Sequence, residues 1–175
     1  MNRDLEAVEL LGGTVSDKYR WDPITHTFVV VTGEDGHIEH TYSWGNSANT
    51  RGWNIDQKLD LRTAREALAD KSAERVGGPR LDPFVAEAFS LINKKQNEHA
   101  NGIVYCNCKT EAAGLIKDAK SLQILHGSRV HFDSVKINSN GSATGTYTPI
   151  GSRIARTMTC DSKGNCSETW TRTLV

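Results

Sequence analysis

The residues best suited to nucleophilic chemistry in this chain are among its four cysteines and six histidines. Cysteine attacks as the thiolate, and an ordinary thiol is mostly protonated at neutral pH. Cys108 follows Asn107, a good N-cap, so it falls in the first turn of a predicted helix. There the unpaired amides and the helix dipole favour negative charge. A working nucleophile also needs a histidine within reach and a third group to orient that histidine. His26 opens a valine-rich run and shares the strand face of Phe28 and Val30. His40 lies one strand later, on the face of Ile38, Tyr42 and Trp44. An imidazole among apolar side chains is either hydrogen-bonded in a core or functional. In an antiparallel hairpin the two histidines can approach side by side, one orienting the other. His37 lies beside the turn and is expected to be solvated. His99, His126 and His131 stand in polar contexts, with His131 and Asp133 as an alternative base pair. The plainer reading makes Cys108 a small apolar residue packed under its helix.

Cys106 shares the strand parity of Cys108, but only Cys108 has the helix-start position. The two are too close for an unstrained disulfide along one strand, and a zinc site needs further ligands at characteristic spacing. Cys160 and Cys166 bracket a turn-forming stretch, Asp161 to Asn165. A hairpin would set their sulfurs opposite each other, so a disulfide forms in an oxidising compartment and two thiols remain in a reducing one.

The elements that must position these groups can be read from periodicity and punctuation. Thr25–Thr32 is a strand rich in β-branched residues, ended by Gly33-Glu34-Asp35-Gly36. His37 to Trp44 alternates and completes a hairpin. Gly45 to Asn54 reads as a loop, with Trp44 and Trp53 at its margins. A first helix starts at Asp56 and presents Leu61, Ala64, Ala67 and Leu68, ending before Gly77-Gly78-Pro79. Asp82-Pro83 opens a second, with Phe84, Ala88, Leu91 and Ile92 facing the core. A short strand at Ile103–Tyr105 leads into the Cys108 helix. From Ser121 to Val175 the pattern is strands separated by Gly, Asn and Ser. This order is an α+β domain with a strand-rich C-terminal third.

One domain of 175 residues is expected, with a catalytic core at about 20–120 and C-terminal strands at about 121–175. Lys+Arg and Asp+Glu are both 21, and no basic cluster is present, which argues against a general nucleic-acid binder. The longest apolar runs, such as Phe28 to Val31, are far short of a membrane span. The start, Met1 to Glu6, lacks a basic segment followed by an apolar one, so no Sec-type leader is expected there.

Three patches together resemble a known family: Thr25-His26-Thr27-Phe28-Val29-Val30-Val31-Thr32-Gly33-Glu34-Asp35, then Ile38-Glu39-His40, then Asn107-Cys108-Lys109-Thr110-Glu111-Ala112. Their order is similar to the circularly permuted branch of the NlpC/P60 (papain-like) superfamily, which includes lecithin:retinol acyltransferase-like proteins and bacterial permuted amidases. The resemblance covers about 25–116 and implies a permuted papain-like fold. It implies Cys108 as nucleophile, His26 as general base and His40 as the residue orienting it, with no cofactor and no metal. Acyl transfer would follow, with the Cys108 amide as an oxyanion donor and Tyr42, Trp44 and Trp53 walling a substrate cleft.

The two-helix insertion between hairpin and cysteine departs from the family pattern and would reshape that cleft. The chain also resembles antibacterial secretion-system effectors, type VI among them, through Tyr42-Ser43-Trp44-Gly45-Asn46 and the Cys108 segment. That implies a thiol amidase or endopeptidase acting on the stem peptide of peptidoglycan. It would be delivered without a signal peptide into a rival's periplasm, with a cognate immunity protein and a secretion-machinery carrier as partners. Periplasmic delivery would also reconcile the missing leader with a Cys160–Cys166 disulfide. A lipid- or acyl-directed acyltransferase or thioesterase would use the same triad, but no membrane-binding patch is evident. A non-catalytic binding module is the third reading.

Overall fold

A computed structural model describes residues 8–10, 27–33, 35–45, 52–77, 80–96 and 108–170. The fold is α+β, with a strand-rich C-terminal region. In chain order the elements are β1 (Val8–Leu10), β2 (Phe28–Thr32), β3 (Ile38–Gly45), β4 (Gly52–Ile55), α1 (Lys58–Asp70), β5 (Ala73–Arg75), α2 (Asp82–Gln96), α3 (Cys108–His126), β6 (Ser134–Ile137), β7 (Ala143–Tyr147), β8 (Arg156–Cys160) and β9 (Cys166–Trp170). All strand pairs are antiparallel: β1 with β5, β2-β3-β4, and a meander β6-β7-β8-β9.

The valine run is buried throughout because the β2-β3-β4 sheet is covered on both faces. Phe28 and Val30 pack on Ala64, Ala67 and Leu68 of α1. Val29, Val31, Tyr42 and Trp53 join the larger core of α2 and α3. The β6–β9 sheet closes the far side of α3, and Ile137, Ala143 and Cys160 meet the core that holds Leu115, Ala119, Leu122 and Leu125. α3 thus lies between two sheets and beside α2, so its apolar residues are not confined to one stripe.

Several boundaries differ from the sequence reading. The stretch read as a loop contains β4, whose Trp53 pairs with Trp44. α1 starts at Lys58 rather than Asp56, because Asp56 turns into the left-handed region at φ 53°. Its carboxylate accepts the Thr41 amide at 2.8 Å. α1 ends at Asp70, closed by left-handed Lys71, whose amide donates to the Ala67 carbonyl. α3 runs through Ser121 to His126; the Ser121 hydroxyl is buried, 3.1 Å from the Lys117 carbonyl one turn back. α2 opens at Asp82-Pro83 as read. The Ile103–Tyr105 strand, Cys106 and Asn107 lie outside the described residues.

Cys160 and Cys166 are opposite each other in the β8–β9 ladder and form a disulfide, with a Cα–Cα distance of 4.1 Å. Loop closure over so short a ring stabilises by about 2 kcal/mol. Reduction is therefore expected to lower the unfolding free energy by that amount, read as a lower urea midpoint, and to release β9 first in hydrogen exchange. An unchanged midpoint would mean that the ladder alone holds the hairpin.

Candidate functional site

α3 begins at Cys108, as the capping argument expects. Its 19 residues span about 27 Å. Position 108 is three and seven residues before Glu111 and Leu115, and so falls on their helix face. That face borders a cleft of about 460 Å³. Trp53 of β4 and Ile92 of α2 line it too, and the Asn138–Gly141 turn between β6 and β7 forms the opposite wall.

The turn is fixed to the helix. The Lys117 ammonium donates to the Asn140 carbonyl at 2.8 Å, and the Ser121 hydroxyl to the Gly141 carbonyl at 2.6 Å. Gly141 has φ +79°, and a Cβ there would stand 2.9 Å from the Lys117 side chain. Asn140-Gly141 is a strong hairpin signal, and it could have located this wall from sequence.

The three aromatic residues proposed for the cleft take separate places. Trp53 lines it and is packed edge-on by Trp44 and Phe89. Trp44 is half-buried and is the cross-strand partner of Trp53. Tyr42 is buried against Phe89 and borders a second, smaller cleft of about 330 Å³ with Glu39, His40, Asp82 and Pro83. Burial pushes the Tyr42 hydroxyl up to about 12, with help from the nearby carboxylates of Asp56, Asp82 and Glu39.

His40 is held by a residue the sequence reading missed. Its Nδ1 lies 2.9 Å from Asp56 Oδ2, while Asp56 Oδ1 takes the Thr41 amide. The Asp56 backbone closes the arrangement by donating to the Thr41 carbonyl at 3.0 Å. A carboxylate only accepts, so Nδ1 carries the donated hydrogen in this contact. The only forewarning in the sequence is that aspartate tolerates left-handed backbone better than most residues.

The structure does not bring His40 to Cys108. Phe84 of α2 stacks on His126, and Glu87 lies 3.3 Å from the same ring, so the start of α2 meets the end of α3. At the other end, Ile92 shares the larger cleft with Glu111. The two helices are therefore antiparallel. His40's cleft is bordered by the first turns of α2, through Asp82, Pro83 and Ala86, which is the end remote from Cys108. Along β3 alone, His40 is four residues, or about 13 Å, from the Trp44–Trp53 level.

His26 lies outside the described residues, as does His99. Phe28 and Val30, the residues expected to share a face with His26, point to α1, whereas His40 pairs with Val31 on the other face. His37 is exposed, and its pairing with Asp35 holds the imidazole above its usual range. His131 and Asp133 are both exposed in the segment before β6.

No group of three or more His, Cys, Asp or Glu side chains able to hold a metal occurs among the described residues. Nor is any helix there long and apolar enough to cross a membrane. Comparison of the whole chain with protein-family models, with curated proteins and with solved structures finds no match to any of them.

Proposed function

We propose that the chain is a cysteine hydrolase of permuted papain-like fold that cleaves an amide bond of bacterial peptidoglycan. The observation that carries this reading is the start of α3 at Cys108, on the helix face that borders the larger cleft. A thiol at that position is acidified by the helix end, and its own backbone amide is aligned to donate to an oxyanion. The Cys108 thiolate attacks the amide carbon, forming the C–S bond of a tetrahedral intermediate. Collapse breaks the C–N bond, and His26 hands its proton to the leaving amine. Water deprotonated by His26 then attacks the thioester and releases the carboxylate and the thiolate.

His40 takes no part in this scheme, because Asp56 holds it near the first turns of α2. The Cys160–Cys166 disulfide supports action in an oxidising compartment such as a rival bacterium's periplasm. A producer of such an enzyme needs an immunity protein as partner, and delivery needs a secretion-machinery carrier.

The test is the rate of iodoacetamide alkylation at Cys108 against pH, with the modified thiol located by peptide mass spectrometry. Rapid reaction well below pH 8 that disappears in His26→Ala is the expected result. Titration of Cys108 as an ordinary thiol, unchanged in His26→Ala, would remove the thiolate–imidazole pair and leave a binding module.

A further inference from the structure

The smaller cleft has no part in the hydrolase scheme, yet three separate features converge on it. The first is a β-bulge in β3. Thr32 pairs with Ile38 and Val31 with His40, which leaves Glu39 as the extra residue. A bulge re-aims a side chain, and Glu39 and His40 both border the cleft although they are strand neighbours. A Cβ on Gly33 would stand 3.0 Å from Glu39 Oε1, so the carboxylate lies against bare backbone at the cleft's edge. The second is Asp56, whose left-handed backbone brings its carboxylate to His40. The third is Tyr42, 2% exposed, whose hydroxyl has no hydrogen-bond partner among the described residues. Glu39 and Asp82, two of the carboxylates that act on this hydroxyl, line the cleft. The oxygen is not one of the sealed polar atoms either, so it faces that space.

Charge and shape narrow the occupant. The described lining residues include no Lys or Arg. Asp82 has an interaction of its own, but the site is acidic without it. Glu39 has His37 as its charged neighbour, 3.9 Å away and already held by Asp35. Even with His40 protonated and balancing Asp56, Glu39 leaves the site negative. An anion is therefore repelled. A bare metal ion is poorly served, because these side chains do not converge as three ligands. Val31, Pro83 and Ala86 make the remaining wall apolar, which suits a cation carried on methylenes.

We propose that the smaller cleft binds an alkylammonium group. The Glu39 carboxylate and the Tyr42 hydroxyl accept its N–H donors, and Val31, Pro83 and Ala86 cover its methylenes. His40, fixed by Asp56, is the wall beside the Tyr42 ring, with ring centres 6.0 Å apart. A free aliphatic diamine and a lysine-type side chain present this same chemistry.

The whole chain is titrated with Nα-acetyl-lysine amide and with cadaverine, followed by NMR at the His40 and Tyr42 ring signals. Both amines are expected to shift these signals saturably. Nα-acetyl-norleucine amide, which has a similar stem and no charge, is expected to bind at least tenfold more weakly. Glu39 is exposed, so Glu39→Gln disturbs no core contact, and it should weaken both amines severalfold. Tyr42→Phe keeps the ring against Phe89 and should weaken them too, read at His40. Tighter binding of the lysine compound assigns the site to a peptide side chain, and tighter cadaverine binding to a free amine. Norleucine binding equal to lysine binding, no saturable shift with either amine, or unchanged affinity in both variants overturns the site. No arm involves Cys108, so the result stands apart from the hydrolase.

Discussion

Replacing Cys108 with alanine is expected to reduce release of soluble fragments from purified sacculi by at least a thousandfold, since removal of a nucleophile costs that much or more in thiol and serine hydrolases. The same substitution is expected to leave the melting temperature within a few degrees of wild type. The core around α3 is built from Ala112, Leu115, Ala119, Leu122 and Leu125, all of which remain. Both readouts are needed, because a variant that fails to digest and also fails to fold says nothing of chemistry. Digestion that persists in folded Cys108→Ala would remove Cys108 from the reaction.

Between pH 10 and 12 the protein is expected to lose about 2 to 3 kcal/mol of stability through one phenol. Tyr42 is 2% exposed, and its hydroxyl is pushed from 10.0 to about 12, first by burial and then by Asp56, Asp82 and Glu39. The folded chain therefore holds this proton more tightly than the unfolded chain does. The contribution is complete below pH 10, and it declines as pH rises to about 12, beyond which Tyr42 ionises in the native state too. Urea midpoints from pH 9 to 12 measure the slope. Tyr42→Phe, which keeps the ring on Phe89, should flatten it; an equal slope in that variant would assign the alkaline loss to other groups.

Much of the frame was legible because it rests on local chemistry. The valine run, the Asp82-Pro83 helix start, the Asn107-Cys108 boundary and the Cys160/Cys166 hairpin each announce themselves within a few residues. What stayed hidden depends on partners distant in sequence. β4 is four residues long and begins at a glycine inside a polar stretch, so only its pairing with β3 identifies it. α3 carries no single apolar stripe because it is covered on several sides, and Ser121 in its middle looks like a boundary until Gly141 supplies an acceptor. The His40–Asp56 contact joins residues 16 apart through a backbone conformation that composition does not reveal. Similarly, strand parity puts His40 among Ile38, Tyr42 and Trp44, but only α2 shows which end of the molecule that is.

Because α3 is a shared floor, the order of events during synthesis is constrained. The β2-β3-β4 sheet can find α1 early, and α2 can cover part of its second face, but the rest of that face waits for α3, which is complete only when residue 126 has left the ribosome. The β6–β9 meander in turn buries Ile137, Ala143 and Cys160 only against a helix already made. Contacts so far apart in sequence are slow to form, and the half-made chain displays bare valines meanwhile. Passage through a narrow export channel in an unfolded state would therefore be easiest before α3 docks, and a chaperone acting on this protein would have the face of Val29 and Val31 to hold.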